Sequence, residues 1–180
     1  RDIGPHLERV PSALAAFQAA PSVHSVRLDG LVRTTEIPND PLFVNQWDHL
    51  QASDADMDTQ FAWDVSKSNP SVVVAIVDTG CDYNHPEIST ALLQGYNFVA
   101  GNTNAMDDHG HGTACAGIAG ARSNNGAGIA GVAPLCTILP VKVLNAGGSG
   151  SYANVAAGIT FSANNGAAVV FVSSMNSLYR

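Results

Sequence analysis

An unbroken apolar run at residues 72–77 constrains the fold of this 180-residue chain more than any other feature. The run reads Val-Val-Val-Ala-Ile-Val and is short and rich in β-branched residues. Such a run is typical of a central strand in a parallel sheet that is buried on both faces. Asp78 follows at the predicted carboxyl end, and Gly80 permits a sharp turn just beyond it. Because ligands and catalysis gather at that edge of open α/β sheets, Asp78 is a candidate site residue.

A second segment, residues 110–120, places a histidine ahead of a series of small residues: Gly-His-Gly-Thr-Ala-Cys-Ala-Gly-Ile-Ala-Gly. Thr113 is the predicted N-cap of a helix whose small residues allow close packing. His111 then lies at the start of this helix, with its imidazole pointing out of the packed surface. An imidazole suits reversible proton transfer at neutral pH, and a carboxylate on one ring nitrogen fixes its tautomer. Asp78 and His111 are therefore predicted to fill the acid and base positions of a catalytic triad.

The remaining elements alternate between strands and helices. The pattern predicts strands at 72–77, about 137–144 and about 168–172, with helices at about 112–121 and about 152–164. The sequence Asn-Asn-Gly at 164–166 predicts the end of the second helix. This alternation indicates an α/β fold with a parallel sheet and right-handed crossovers.

The order of these motifs resembles that of the subtilisin-like serine proteases (subtilases, peptidase family S8). Asp-Thr-Gly at 78–80 precedes His-Gly-Thr-x-x-Ala-Gly at 111–117, and four further stretches also resemble the family: 82–88, 124–134, 139–144 and 148–150. Together these matches span roughly residues 38 to 170. The resemblance implies a doubly wound parallel sheet of the subtilisin type, of which this chain holds a part.

The resemblance also implies roles for the two candidate residues, with Asp78 orienting the base and His111 acting as the general base. Family members carry the nucleophilic serine far downstream in Gly-Thr-Ser-Met-Ala, with an oxyanion-hole Asn before it. Neither segment occurs in these residues, and four candidate serines lack that context: Ser149, Ser151, Ser173 and Ser174. We therefore expect a serine endopeptidase truncated before its nucleophile and inactive alone. The alternative is a non-catalytic binding or inhibitory product of a protease gene.

Substrate and ion positions follow from the same resemblance. An extended polypeptide substrate is expected to pair with the edge formed by Gly148, Ser149 and Gly150. A structural calcium ion is expected at Glu87, Asn124 and Asn125, with a solvated acid beside a turn as the alternative. No organic cofactor is implied.

Residues 1–36 differ in character from the rest. A short helix is predicted over 11–20, and an alternating stretch from Pro21 predicts a hairpin that turns at Asp29-Gly30. Before a subtilase domain, such a unit resembles the carboxyl half of an inhibitory propeptide, which makes the chain's own propeptide an expected partner. Residues 34–36 are then the junction, lying in the substrate channel, and residues 37–180 are the N-terminal portion of the peptidase domain. The alternative is an ordinary N-terminal extension.

Composition excludes some other classes. The net charge is −7 with only 8 Lys and Arg, so no basic face for nucleic acid is expected. No run approaches the roughly 20 apolar residues of a membrane span, so no membrane partner is expected. The chain begins at Arg1 without a signal-peptide pattern, and we expect its true start to lie upstream. Secretion is implied by the family alone.

Two other kinds of site are less consistent with these residues. A single Asp-Thr-Gly permits an aspartic protease only as a homodimer, and it leaves the His-Gly-Thr segment unexplained. A transition-metal site was considered at Asp82, His85, Asp107, Asp108, His109 and His111, but this spacing fits no zinc motif. The three cysteines show no CxxC pattern, and a bridge between Cys81 and Cys115 is left open.

Overall fold

A computed structural model describes residues 10–26, 36–53 and 55–173. The chain divides into two compact units, residues 1–34 and 35–180. In the first unit, helix α1 spans Val10–Gln18, where a helix over 11–20 is predicted. Residues 20–26 form turns and bends without a strand, and the rest of the predicted hairpin lies outside the described residues.

The second unit contains a four-stranded parallel sheet with the order β2-β3-β1-β4. The strands are β1 (Val73–Asp78), β2 (Tyr96–Asn97), β3 (Thr137–Lys142) and β4 (Ala167–Val172). The helices are α2 (Thr59–Val65), α3 (His111–Gly120) and α4 (Tyr152–Asn164). The predicted parallel α/β fold is confirmed, with β1 between β3 and β4. Because all strands run the same way, their carboxyl ends meet at one edge, where Asp78 lies opposite Lys142.

Apolar side chains cover both faces of β1, as its unbroken pattern predicts. Alternate residues of the sheet pack on one side with α3 and on the other with α4. Ile76 and Ile138 are fully buried on the α3 side, and Val77 and Val141 on the α4 side. Each such side chain contributes about 1.5–3 kcal/mol relative to an exposed one. The buried sheet is thus a rigid support for the groups at its carboxyl edge.

Small residues let both helices lie close to the sheet. A Cβ placed on Gly120 of α3 would lie 2.7 Å from Cys136 Sγ, and one on Gly158 of α4 would lie 2.6 Å from Val143 Cγ1. Ser151 is the N-cap of α4, and its hydroxyl accepts a hydrogen bond from the Asn154 N–H at 3.1 Å. It ends at Asn164 as predicted.

A buried histidine lies in the segment that leads to α2. His49 is fully buried, with its ring 5.7 Å from that of Phe43 and 5.3 Å from that of Trp63. Its Nδ1 lies 2.9 Å from Thr59 Oγ1, while its Nε2 has no hydrogen-bond partner among the described residues. Burial lowers the pKa of His49 more than the nearby Asp48 carboxylate raises it. Folding therefore favours the neutral form of this imidazole, although the Asp48 carboxylate lies 3.8 Å from Nε2.

Candidate active site

The end of β1 and the start of α3 bring Asp78 and His111 into direct contact. His111 Nδ1 lies 2.8 Å from Asp78 Oδ1 and 2.9 Å from Oδ2. The Asp78 side chain is fully buried, whereas that of His111 is 43% exposed. Because an ionised carboxylate only accepts hydrogen bonds, Nδ1 carries the proton and Nε2 keeps its lone pair. This arrangement is that of an orienting acid and a base.

Backbone contacts stabilise the buried carboxylate and its strand end. The Thr79 N–H donates to Asp78 Oδ1 at 2.6 Å. The Asp78 carbonyl accepts from the Val143 N–H at 2.9 Å and the Leu144 N–H at 3.2 Å. A buried carboxylate without partners is costly, and the Thr79 N–H and the imidazole supply them here, while the two bonds to the carbonyl fix the strand end.

The start of α3 is held by Asp107, which corrects the prediction that Thr113 is the N-cap. The N-cap is Gly110, at φ 98°, and α3 begins at His111. Asp107 Oδ2 accepts from Thr113 N at 2.9 Å and Thr113 Oγ1 at 2.5 Å, while Oδ1 accepts from the N–H groups of His109 and Gly110. Burial favours a higher pKa for Asp107, but these hydrogen bonds outweigh it and hold the pKa well below its usual range.

A buried lysine, which the sequence analysis missed, lies beside the same edge. Lys142 is 3% exposed and ends β3. Its Nζ donates to the Thr79 carbonyl at 2.7 Å, the Leu144 carbonyl at 2.8 Å and Asp108 Oδ1 at 2.6 Å. The sequence signal for this residue is a single lysine at the end of an otherwise apolar strand. A buried ammonium needs hydrogen-bond acceptors, so such a lysine indicates polar groups nearby.

The cysteines are free, so the bridge left open by the sequence does not form. Cys115 Sγ lies 3.8 Å from His111 Nδ1, and burial raises the pKa of this thiol although Ser173 bonds to it. Asp82, Asp107, Asp108 and His109 line one cavity, but in the part of the chain that the structure describes no three ligand atoms of the set considered for a transition metal lie within 4.8 Å of one another. The three ligand types that do lie together are Asp78, His111 and Cys115, and the first two already bond each other.

The predicted substrate segment forms a turn beside the imidazole. Gly148 and His111 line the same cavity of about 220 Å³. Asn145 closes the turn, accepting from the N–H groups of Gly148 and Ser149 and donating its own N–H to the Ser149 carbonyl. A Cβ on Gly150 would lie 2.2 Å from the Val143 carbonyl oxygen, so the turn lies tightly against the end of β3. The structure thus brings this turn to the Asp78–His111 pair.

The candidate serines have other roles or lie elsewhere. Ser149 belongs to the turn, Ser151 caps α4 and Ser173 bonds to Cys115. None of these three forms a hydrogen bond to His111 within the described residues, and Ser174 lies outside them.

The residues predicted to hold calcium lie beyond the other end of α3. Glu87 is buried, and its Oε2 has no hydrogen-bond partner in the described part of the chain. Its Oε1 accepts only a long bond, 3.4 Å, from Asn125 Nδ2. The sequence analysis missed Asp40, which is 2% exposed and accepts from the N–H groups of Asn124 and Asn125 at 2.8 and 3.2 Å. The Asn125 side chain turns its Nδ2 toward Glu87 and its Oδ1 toward the Ala127 N–H, so the oxygens that could serve Ca²⁺ here are the carboxylates of Glu87 and Asp40.

Asn124 and Glu36 differ from what was expected. The Asn124 side chain bonds away from Glu87, accepting from the Asn39 N–H at 3.0 Å and donating to Glu36. Glu36 also pairs with Lys67 Nζ at 2.5 Å. These contacts follow the C-terminal end of α3, whereas His111 begins this ten-residue helix, about 15 Å away along its axis. Glu36 thus contacts a residue beyond the end of α3 opposite to His111, which does not support its predicted place in the substrate channel, and the other two junction residues lie outside the described part.

The chain is also similar to known sequences. The model of the subtilase family matches residues 69–177. A thermophilic serine proteinase of Bacillus sp. (strain AK1) is 36% identical over 164 residues, covering 91% of this chain and 40% of the relative. Thermitase of Thermoactinomyces vulgaris is 42% identical over 136 residues, covering 76% of this chain and 47% of its own length. The chain thus spans less than half the length of these relatives.

Solved structures show the same fold. A lanthipeptide protease is 26% identical with a TM-score of 0.61, over 78% of this chain and 40% of the other. A protease of Pseudoalteromonas arctica PAMC 21717 is 29% identical with a TM-score of 0.61, over 79% and 46%.

Proposed function

The chain belongs to the subtilase family of serine proteases, and from this premise we propose that Asp78 and His111 are the orienting acid and general base of an endopeptidase acting on polypeptides. The observation that carries the proposal is the contact of His111 Nδ1 with both oxygens of a fully buried carboxylate. This contact leaves Nε2 as the basic atom on the exposed side of the ring.

The proposed chemistry is acyl transfer. His111 Nε2 takes the proton of a serine hydroxyl as its oxygen attacks the peptide carbonyl, and Asp78 stabilises the imidazolium that forms. The imidazolium then gives the proton to the leaving amine. Water hydrolyses the resulting acyl-enzyme by the same route, with His111 again acting as the base.

The nucleophile of this reaction is proposed to lie outside these 180 residues. They contain no Gly-Thr-Ser-Met-Ala, and the described candidate serines bond elsewhere. The 180-residue polypeptide on its own is therefore proposed to lack turnover. A fluorophosphonate probe should leave its mass unchanged, while labelling that disappears in His111→Ala would contradict this part of the proposal.

The endopeptidase role itself is tested by supplying the missing portion. In a chimera, residues 35–173 precede the corresponding C-terminal portion of thermitase, which is 42% identical over the shared region. The chimera should hydrolyse casein, and His111→Ala should reduce kcat by about 10⁴-fold or more. A folded chimera that labels and hydrolyses equally well with Ala at 111 would overturn the assignment.

The substrate is proposed to lie along the turn at 148–150. An extended peptide that pairs there passes the cavity shared by His111 and Gly148. Its support is the closeness of this turn to the imidazole.

A structural calcium ion is proposed at the unpaired carboxylate oxygen of Glu87, with the Asp40 carboxylate, which binds the loop at Asn125, as a further oxygen donor. Support comes from the buried Glu87 Oε2, which has no hydrogen-bond partner among the described residues. Bound Ca²⁺ would supply the missing positive charge between the carboxylates. It would also tie the segment around Asp40 to the loop that follows α3.

Residues 1–36 are proposed to be the end of an inhibitory propeptide, which the division of the chain after residue 34 supports.

Secretion is proposed from the family resemblance. The relatives include proteins named as an extracellular protease of Xanthomonas campestris and a major intracellular serine protease of Bacillus subtilis, so members of the family occur in both locations. In the described part of the chain, none of the helices has the length and apolar character to cross a bilayer.

A further inference from the structure

Thr79 links the two proposed catalytic residues through its own side chain. It follows Asp78 in the chain, and its hydroxyl accepts a hydrogen bond from the Gly112 N–H at 2.9 Å. Gly112 follows His111 in α3. A Cβ on Gly112 would lie only 2.2 Å from the Gly80 carbonyl oxygen, so the helix start and the turn after β1 touch directly. The relative position of the acid and the base therefore depends on how Thr79 is held.

Asp107 holds Thr79 and the start of α3 at the same time. Its Oδ1 accepts from Thr79 Oγ1 at 2.8 Å and from Gly110 N at 2.9 Å. Its Oδ2 accepts from both the N–H and the hydroxyl of Thr113. A single carboxylate thus bonds to the residue after Asp78, to Gly110 just before His111 and to Thr113 two residues after it.

Lys142 holds the same turn by binding the backbone carbonyl of Thr79. Its Nζ donates to the Thr79 carbonyl, while the Thr79 hydroxyl bonds Asp107. The Lys142 charge is balanced by Asp108, next to Asp107 in the chain. The turn after β1 is therefore fixed at both its side chain and its carbonyl.

We infer that Asp107 is a positioning residue of the Asp78–His111 pair, acting through Thr79 and the start of α3. It touches neither catalytic side chain. Its five hydrogen bonds, counting those from the N–H of His109 and Gly110, set the geometry in which Nδ1 meets Asp78. The inference assigns a role to an acid that the sequence analysis considered only as part of a metal site. It rests on the proposed function for its catalytic meaning.

The test measures the Asp78–His111 hydrogen bond directly, so it needs no nucleophile. In protein carrying ¹⁵N-labelled imidazoles, the Nδ1–H proton of His111 is identified by its loss in Asp78→Asn. Asp107→Asn keeps the side-chain size but replaces one acceptor with a donor that faces Thr79 or Thr113. We expect exchange of the Nδ1 proton with water to accelerate by about tenfold or more, the factor typical for loss of a charge-assisted hydrogen bond.

The matched control is Asp64→Asn, which removes the same charge from an exposed position on α2. Circular dichroism and thermal melting establish that each variant is folded. Unchanged exchange in a folded Asp107→Asn, equal to that of wild type and Asp64→Asn, would overturn the inference.

A second pair of variants decides the matter if Asp107→Asn does not fold. Thr79→Ser keeps the hydroxyl that links Gly112 and Asp107, whereas Thr79→Val keeps the shape and removes it. We expect wild-type exchange in the serine variant and accelerated exchange in the valine variant. Equal exchange in the two would overturn the inference.

The outcome is separable from that of the proposed function. If Asp107 orders the imidazole but the thermitase chimera hydrolyses casein equally well with Ala at 111, the positioning stands and the proposed function fails. If the chimera depends on His111 while Asp107→Asn leaves the Nδ1 proton unchanged, the reverse holds.

Discussion

The two ends of α3 differ in how completely their buried polar groups are paired. At the N-terminal end, Asp78, Asp107 and Lys142 form hydrogen bonds at 2.5 to 3.0 Å. Beyond the C-terminal end, Glu87 is buried with one oxygen that no described residue pairs. Buried polar groups are normally satisfied, so the first end is complete among the described residues, whereas the second leaves one carboxylate oxygen of Glu87 unpaired among them.

The two ends of α3 should therefore respond differently to the removal of cations. The Asp78–His111 pair is formed by the chain's own side chains and should persist when cations are removed. The oxygen cluster at Asp40 and Glu87 should instead make the stability of the protein depend on cation concentration. The predictions that follow test each end in turn.

The largest effect is expected from Gly112→Ala, which disrupts the N-terminal end of α3. The added Cβ would lie 2.2 Å from the Gly80 carbonyl oxygen, and backbone has little freedom to move away. We expect the free energy of unfolding to fall by about 3 kcal/mol or more, measured by urea denaturation.

The matched control lies in the same helix. At Gly117 a Cβ would meet only Ile129 Cδ1 at an ordinary 3.7 Å. Gly117→Ala should therefore stabilise the protein by roughly 0.5–1 kcal/mol through the lower flexibility of alanine. Equal losses in the two variants would contradict the close contact between α3 and the turn at Gly80.

The next effect concerns Glu87, beyond the C-terminal end of α3. Calcium at about 100 times its dissociation constant should stabilise the protein by about 2.7 kcal/mol, seen as a rise in melting temperature. Glu87→Gln should abolish most of this rise, while Asp64→Asn, on exposed α2, should retain it. An equal rise in Glu87→Gln would show that calcium binds elsewhere, and no rise in wild type would exclude the calcium proposal.

A smaller effect is expected from His49. Because burial lowers its pKa, the folded state binds fewer protons than the unfolded state once the pH falls below the unfolded value of about 6.5. Stability is therefore fully present above that pH and declines as the pH falls toward the lower folded pKa. The slope contributed by one proton is at most about 1.4 kcal/mol per pH unit.

Urea denaturation between pH 7.5 and 5 measures this slope. His49→Gln should flatten it relative to wild type, whereas the exposed His24→Gln should leave it unchanged. If the free energy of unfolding falls as steeply with pH in His49→Gln as in wild type, other groups cause the acid sensitivity.

Much of the fold and the acid–base pair could be predicted from local sequence. The apolar run before Asp78 predicts a strand buried on both faces, and the observed β1 differs by one residue at each end. His111 was correctly placed at a helix start, because small residues following it favour a closely packed helix. The family resemblance carried by these motifs is confirmed.

The supporting contacts could not be predicted because they join residues distant in sequence. Thr113 is a residue type that favours the N-cap, but its N–H and hydroxyl both donate to Asp107, and the N-cap is Gly110, three residues earlier. Asp40 lies more than 80 residues from the loop at Asn124 that it binds. No local sequence pattern indicates either of these contacts. A charged residue at the end of a buried strand, such as Lys142, does indicate that it has a partner, but not which one.

The most direct test of the central claim is the tautomer of His111, read from its imidazole ¹⁵N shifts at neutral pH in the 180-residue protein. The contacts at 2.8 and 2.9 Å predict a protonated Nδ1 and an unprotonated Nε2, with this preference lost in Asp78→Asn. A protonated Nε2 in wild type, or identical spectra in the two proteins, would contradict the assignment of Asp78 and His111 as the acid and base of a protease.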